Sequence, residues 1–108
     1  MDDETIEMGS GNVFADLGLP NPEERQMKSL LAIQIRELIE DKCLTPAEAI
    51  QRTGVSTEEM TAIFRGRLSE LSLDQLFRCL TKLGRSVEVR VLPEQAASEA
   101  AHMTVVMA

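Results

Sequence analysis

The sequence predicts a mainly α-helical fold, a compact bundle of about four to five helices followed by one C-terminal β-strand. Apolar residues recur at three- and four-residue steps through most of residues 22–83. Residues that typically begin and end helices stand between these apolar runs. After Gly84 the apolar period changes from that of a helix to that of a strand. With 108 residues, the chain has room for one small hydrophobic core.

The first helix is predicted to begin at Pro22 and to run to about Lys42. Glu23 and Glu24 suit its N-terminus, because carboxylates there meet the positive end of the helix dipole. One apolar stripe along this helix is expected to be buried. It consists of Met27, Leu30, Leu31, Ile35, Leu38 and Ile39.

Two short helices joined by a tight turn are predicted in residues 45–67. Thr45 can cap the first of them, with Pro46 at its first position, and Gly54 can end it. Ser56 with Glu59 three residues later has the form of a capping box opening the second. In the second helix, Met60, Ile63 and Phe64 form the apolar stripe, and Thr57, Glu58, Thr61 and Arg65 lie off it. This is the pattern of a helix–turn–helix, whose second helix enters the DNA major groove.

A fourth helix is predicted to open with Ser72 and Gln75 as a second capping box and to close at Gly84. Its apolar stripe supplies the remaining side of the core. The stripe consists of Leu73, Leu76, Phe77, Leu80 and Leu83.

A strand is predicted where Val87, Val89 and Val91 alternate with Glu88 and Arg90. No second strand is evident in the sequence. We therefore expect this strand to pair, antiparallel, with its copy in a homodimer. The alternative is that it packs on the helices as an extended tail. Residues 22–92 then form the folded domain, and residues 93–108 are expected to be a flexible tail.

Residues 1–21 form an acidic, partly disordered N-terminal arm in this interpretation. Within it stand the apolar residues Val13, Phe14, Leu17 and Leu19. These four either fold back on the domain's own helices or dock on a partner protein and become ordered on binding.

The residue types argue against catalysis, so we expect no enzyme activity and no metal or other cofactor. The single histidine is His102, and Cys43 and Cys79 lack metal-ligand spacing. Both cysteines are expected to be reduced core residues. Because the start of the chain lacks a secretion signal and no apolar run is long enough to span a membrane, we expect a cytoplasmic protein.

The net charge of −7 is unevenly distributed along the chain. Residues 1–24 contain seven acidic residues and no basic one, whereas the rest of the chain has eleven of each. Residues 65–90 contain six basic and three acidic residues. The segment after the second short helix is therefore mildly basic, which is a weak indication of a nucleic-acid partner.

The arm at residues 11–20, the helix–turn–helix, the run Arg65-Gly66-Arg67-Leu68-Ser69 and Leu83-Gly84-Arg85 before the valines together resemble the XRE-type (Cro/repressor-like) regulators. More narrowly, they are similar to the HigA-like antitoxins of type II toxin–antitoxin pairs. The resemblance covers about residues 9–93 and is most specific in the arm. It implies a lambda-repressor-like fold, a dimer that binds a double-stranded DNA operator, often its own promoter, and a ribonuclease toxin as possible partner.

The resemblance also implies a set of DNA-facing positions and two phosphate-binding arginines. Those positions are Ser56, Thr57, Glu58, Thr61 and Ala62, with Arg65 and Arg67 near phosphates. Three features depart from the family pattern: Thr45-Pro46 replaces a Thr-Gln pair, Ala49-Ile50 replaces Leu-Ala, and Thr53 replaces a leucine.

Glu58 and Glu59 at the start of the recognition helix are a further departure. They stabilise the N-terminus of this helix through the helix dipole, but they repel phosphates. Glu58 either accepts a hydrogen bond from cytosine N4 or is, like Glu59, a solvated helix cap. The alternative function is a protein-interaction module that mainly sequesters a toxin and reads little DNA.

Overall fold

The computed structural model describes residues 6–7, 21–94 and 103–107. Over these residues it contains four α-helices: α1 (Pro22–Asp41), α2 (Pro46–Thr53), α3 (Thr57–Arg65) and α4 (Leu73–Lys82). A short 3-10 helix, Leu68–Glu70, lies between α3 and α4. Two strands of two residues each, β1 (Ile6–Glu7) and β2 (Val106–Met107), pair antiparallel. The predicted mainly helical fold is confirmed.

The chain divides into two compact units. One is helical and comprises residues 28–87. The other is formed from residues 1–27 and 88–108. The helix–turn–helix and its contacts with neighbouring helices belong to the helical unit.

The predicted helix starts are confirmed by their hydrogen bonds. Thr45, Ser56 and Ser72 each accept from the backbone N–H three residues later, and the side chain at that later position accepts from the cap's own N–H. Each of these helices therefore has two of its otherwise unpaired N–H groups satisfied within one turn of sequence. Gly54 ends α2 with φ of 77°, a left-handed conformation that glycine adopts without a Cβ penalty.

The core of the helical unit is built from the predicted stripes, with some shifts. Leu31, Ile35 and Ile39 of α1 are buried as expected, but Leu30 and Leu38 are only half-buried, and Ala32 is 2% exposed. In α3, Phe64 is 38% exposed, so its assignment to the buried stripe was wrong. The other buried apolar side chains among the described residues are Ala49, Met60, Ala62, Ile63, Leu71, Leu76, Cys79, Leu80 and Leu83.

The valine segment differs from the prediction. Residues 85–94 belong to neither a helix nor a strand, and Val89 and Val91 are 75% and 94% exposed. A strand requires a hydrogen-bonding partner, and the described part of the chain supplies none for these residues. The expectation that the chain holds no second strand was also wrong, because Ile6 pairs with Met107 and Glu7 with Val106. Strands of two residues are too short to show the alternation of apolar and polar residues that predicts a strand, so sequence periodicity does not predict β1 or β2.

Several predicted features lie outside the described residues. They are the apolar arm residues Val13, Phe14, Leu17 and Leu19, and His102. Within the segment predicted as a tail, Met103 donates its N–H to the Glu23 carboxylate. Among the described helices, none combines the length and apolar character that crossing a bilayer requires.

Candidate nucleic-acid interface

The helix–turn–helix is formed by α2 and α3, which are separated by Gly54, Val55 and Ser56. Gly54 donates its N–H to Ile50 O at 2.8 Å, closing α2. Ser56 then has an extended backbone, with φ of −75° and ψ of 165°, and begins α3. The chain therefore turns between the two helices within a few residues, because a left-handed glycine and an extended cap follow each other closely.

Helix α3 buries one side and exposes the other. Met60 and Ile63 are 3% and 1% exposed, which fixes the inner side. The predicted DNA-facing residues Thr57 and Glu58 are exposed, and Thr61, one turn later, is half-buried. These side chains lie along one polar surface that runs from the first turn of α3 toward its end.

Ala62 does not belong to this surface. Its side chain is 1% exposed, so it packs in the core and cannot contact a groove. The assignment of Ala62 as a DNA-facing residue was wrong. Position 62 follows Thr61 by one residue, and a rotation of about 100° per residue turns it away from solvent.

Ser56 is exposed and is also the N-cap residue of α3. Its Oγ accepts the N–H of Glu59 at 3.1 Å, and its own N–H is donated to Glu59 Oε1 at 3.4 Å. The hydroxyl proton of Ser56 is still available as a donor to a ligand.

The two glutamates at the start of α3 have different environments. Glu59 is half-buried and accepts a second hydrogen bond, from Gln75 Nε2 of α4, at 2.9 Å. Glu58 is exposed to solvent. Of the two, only Glu58 is therefore open to an external partner, whereas Glu59 is part of the capping box of α3.

Arg65 is the last residue of α3 and Arg67 follows two residues later, and both are exposed. Arg67 Nη1 is 4.0 Å from Glu70 Oε2, and the two side chains are 48% and 54% exposed. A solvent-exposed pair at this distance contributes little to stability, so it constrains the Arg67 guanidinium only weakly.

Two polar residues that the sequence did not point to hold α3 against its neighbours. Gln75 donates to Glu59, and Arg36 of α1 donates from Nη1 to Phe64 O at 3.4 Å. The only sequence signal for Gln75 is its place in the capping box of α4. Arg36 lies among other charged residues of α1 and gives no such signal.

Inside the helical unit, Cys79 lies in the core near Thr53 and Glu59. Burial and the nearby carboxylate of Glu59 raise the pKa of the Cys79 thiol to about 11, and a hydrogen bond with Thr53 opposes this in part. Cys43, by contrast, is exposed, so its prediction as a core residue was wrong. Both cysteines are free thiols. Within the described ranges, no cluster of His, Cys, Asp or Glu is suited to hold a metal ion.

At the start of α2, Thr45 and Glu48 form another reciprocal cap. Thr45 N–H donates to Glu48 Oε1 at 2.8 Å, and this backbone hydrogen bond lowers the pKa of the Glu48 carboxyl. Pro46 occupies the first position of α2, where its missing N–H leaves no hydrogen bond unmade.

Comparison with known proteins identifies the fold family. Residues 13–92 match the model of a family described as "Helix-turn-helix domain". A solved structure named "Putative XRE Family Transcriptional Regulator" is 30% identical and superposes with a TM-score of 0.73, over 82% of this chain and 100% of that one. The chain belongs to the XRE family. As an XRE-type protein it is a DNA-binding helix-turn-helix regulator. Among curated protein sequences none matches significantly.

The two cysteines of this XRE-type chain should react very differently with a thiol reagent. At about pH 8, iodoacetamide should modify Cys43 and leave Cys79 unmodified, since a buried thiol with a raised pKa forms little thiolate. Mass spectrometry should find one adduct per native chain and two after unfolding in urea. Two adducts on the native chain would contradict this.

The same pKa shift makes stability depend on pH. Below pH 9.0, the ordinary pKa of a cysteine thiol, Cys79 is protonated in both the folded and the unfolded state, so it does not make stability depend on pH there. Between that pH and about 11, only the unfolded state loses the proton, so the free energy of unfolding should fall. Urea unfolding of Cys79→Ala should show a smaller fall over this range than the natural chain.

Proposed function

We propose that this protein is a sequence-specific transcriptional repressor that binds its operator as a homodimer, with α3 in the DNA major groove. The observation that carries the proposal is the polar, exposed side of α3, which displays Thr57 and Glu58 at its start and Arg65 at its end. A helix N-terminus is the part of a recognition helix that reaches base edges.

The residues of this surface suit two kinds of contact. Thr57 and Thr61 offer a hydroxyl and a methyl group, which can bond to base edges or pack on a thymine methyl. Glu58 can accept from cytosine N4. Arg65 and Arg67, at and after the end of α3, are long cations suited to phosphates on either side of the groove.

Dimerisation is proposed through residues 87–91. Val87 is half-buried, and residues 88–91 are exposed, with the apolar side chains of Val89 and Val91 in solvent. The segment has no ladder partner in the described part of the chain. Val87, Val89 and Val91 of two copies, paired antiparallel about a two-fold axis, would cover one another and satisfy both backbones.

The finer role we propose is that of the antitoxin of a type II pair. The resemblance of the arm supports it. So does the composition of the arm, residues 1–21, which contains five acidic residues together with Val13, Phe14, Leu17 and Leu19. An acidic segment with interspersed apolar residues suits docking on a basic partner protein. A module that mainly sequesters the toxin is the second candidate, favoured by the exposed carboxylate of Glu58 on the DNA-facing side.

The arginines and the threonine of α3 should affect DNA binding in different ways. Arg65→Ala or Arg67→Ala should weaken binding to all duplexes alike and reduce the salt slope by about one unit per subunit, because a phosphate contact releases a counterion and reads no base. Thr57→Ala should leave the salt slope unchanged and alter preference at one base pair per half-site by about 1–3 kcal/mol.

The measurement is a fluorescence-anisotropy titration over a salt series, with a duplex enriched by the natural protein from a random pool and a scrambled duplex. If Arg67→Ala changed sequence preference but not the salt slope, the groove-docking geometry would be wrong. If no duplex bound at low salt, the sequestering function would replace it.

The dimer can be tested by shortening the chain. A protein ending at Arg85 lacks the valine segment and should sediment as a monomer in analytical ultracentrifugation, because nothing remains to pair across the two-fold axis. A protein ending at Glu94 retains the segment and should still be a dimer. An unchanged dimer after truncation at Arg85 would place the interface elsewhere.

The antitoxin role predicts a partner that depends on the arm. Phe14→Asp with Leu17→Asp should weaken binding to the protein encoded by the adjacent reading frame by at least about tenfold, because the loss of two buried apolar side chains exceeds about 1.4 kcal/mol. Isothermal titration calorimetry measures this. Binding to the enriched duplex should be unaffected, and equal partner affinity in the two chains would remove the arm from the interface.

A further inference from the structure

The capping boxes of α3 and α4 are joined to each other. The residue at the third position of each helix, Glu59 in α3 and Gln75 in α4, caps its own helix. Gln75 Nε2 also donates to Glu59 Oε2 at 2.9 Å in a partly buried setting. The N-termini of the two helices are thus connected by a hydrogen bond between residues 16 apart in sequence.

Each polar atom in this link has one defined partner. In Glu59, Oε1 accepts from Ser56 N–H and Oε2 accepts from Gln75. In Gln75, Oε1 accepts from Ser72 N–H at 2.8 Å and Nε2 is the donor to Glu59. A hydrogen bond requires a defined distance and angle, and one to a charged group is about twice as strong as one between neutral groups. The link therefore adds a constraint on the orientation of the first turn of α3 to the packing of Met60 and Ile63.

The link lies at the end of α3 that is placed to read bases. Glu59 follows Thr57 and Glu58 in the first turn, so a displacement of Glu59 moves both exposed side chains with it. The other end of α3 is held separately, by Arg36 through Phe64 O. Phosphate contacts from flexible arginines tolerate a small tilt of the helix, but hydrogen bonds to base edges do not.

We propose that Gln75 and Glu59 are positioning residues for sequence reading: they do not contact DNA, and they orient the first turn of α3 so that Thr57 and Glu58 meet the base edges. This rests on the proposed binding of α3 in the major groove. Loss of the link lowers the preference for the specific sequence and leaves binding to unrelated DNA largely intact.

An exchange of the two side chains tests the proposal. Glutamate and glutamine both cap a helix from its third position, so every variant retains its capping boxes. Gln75→Glu places two carboxylates against each other, and Glu59→Gln places two amides with opposed N–H groups. The double variant, Glu59→Gln with Gln75→Glu, restores the hydrogen bond in the reverse direction and keeps the natural net charge.

The readout is the ratio of the affinity for the enriched duplex to that for its scrambled version, measured where circular dichroism shows every variant folded. Each single variant is expected to lower this ratio about tenfold, and the double variant to recover it within about threefold. Thr81→Glu, an exposed position of α4, makes the same charge change as Gln75→Glu and should leave the ratio unchanged.

An unchanged ratio in Gln75→Glu, an equal loss of binding to both duplexes, or a double variant as impaired as the singles would overturn the inference. These outcomes differ from a failure of the proposed function, in which the natural chain itself would enrich no duplex from the random pool.

Discussion

Short helices depend on how their ends are satisfied, and this constraint shapes the helical unit. Helices α2, α3 and α4 have 8, 9 and 10 residues, and an isolated helix of such length is not stable in water. Each begins with a reciprocal capping box, and α2 and α3 end at left-handed glycines. Because these hydrogen bonds are local, the chain can turn sharply between the helices, and the apolar stripes of the three helices can pack into one core.

The polar side of α3 remains outside because its buried side is narrow. Met60, Ala62 and Ile63 are its buried side chains. Its exposed residues include Thr57 and Glu58 at the start of the helix and Arg65 at its end.

The distribution of charge is also compatible with a DNA-binding surface on the helical unit. Residues 28–87 contain nine basic and eight acidic side chains, so the acidity of the whole chain belongs mainly to segments outside the helical unit. A net charge of −7 is therefore compatible with a DNA-binding surface.

Glu58 and Glu59 show how one residue type acquires two roles in adjacent positions. A step of one residue along a helix rotates the side chain by about 100°, which turns Glu58 to solvent and Glu59 toward α4. There Glu59 accepts a hydrogen bond from Gln75, and its charge adds to the effect of burial in raising the pKa of the Cys79 thiol. The Glu59 carboxylate thus accepts hydrogen bonds both from Ser56 at the start of α3 and from Gln75 of α4.

The sequence alone determined the helix starts and ends, because a capping box or a left-handed glycine acts within about four residues of chain. It also determined the polar side of α3, apart from Ala62, through helical periodicity. Only the tertiary structure decided that Ala32 is buried while Leu38 and Phe64 are partly exposed, since burial depends on which neighbouring helix lies opposite. The Gln75–Glu59 bond and the pairing of Ile6 with Met107 join residues distant in the chain, and no pattern within one element encodes such partners. The valines at 87–91 are a further example. Their alternation with charged residues is typical of a strand, but a strand forms only where a second backbone is available for hydrogen bonding.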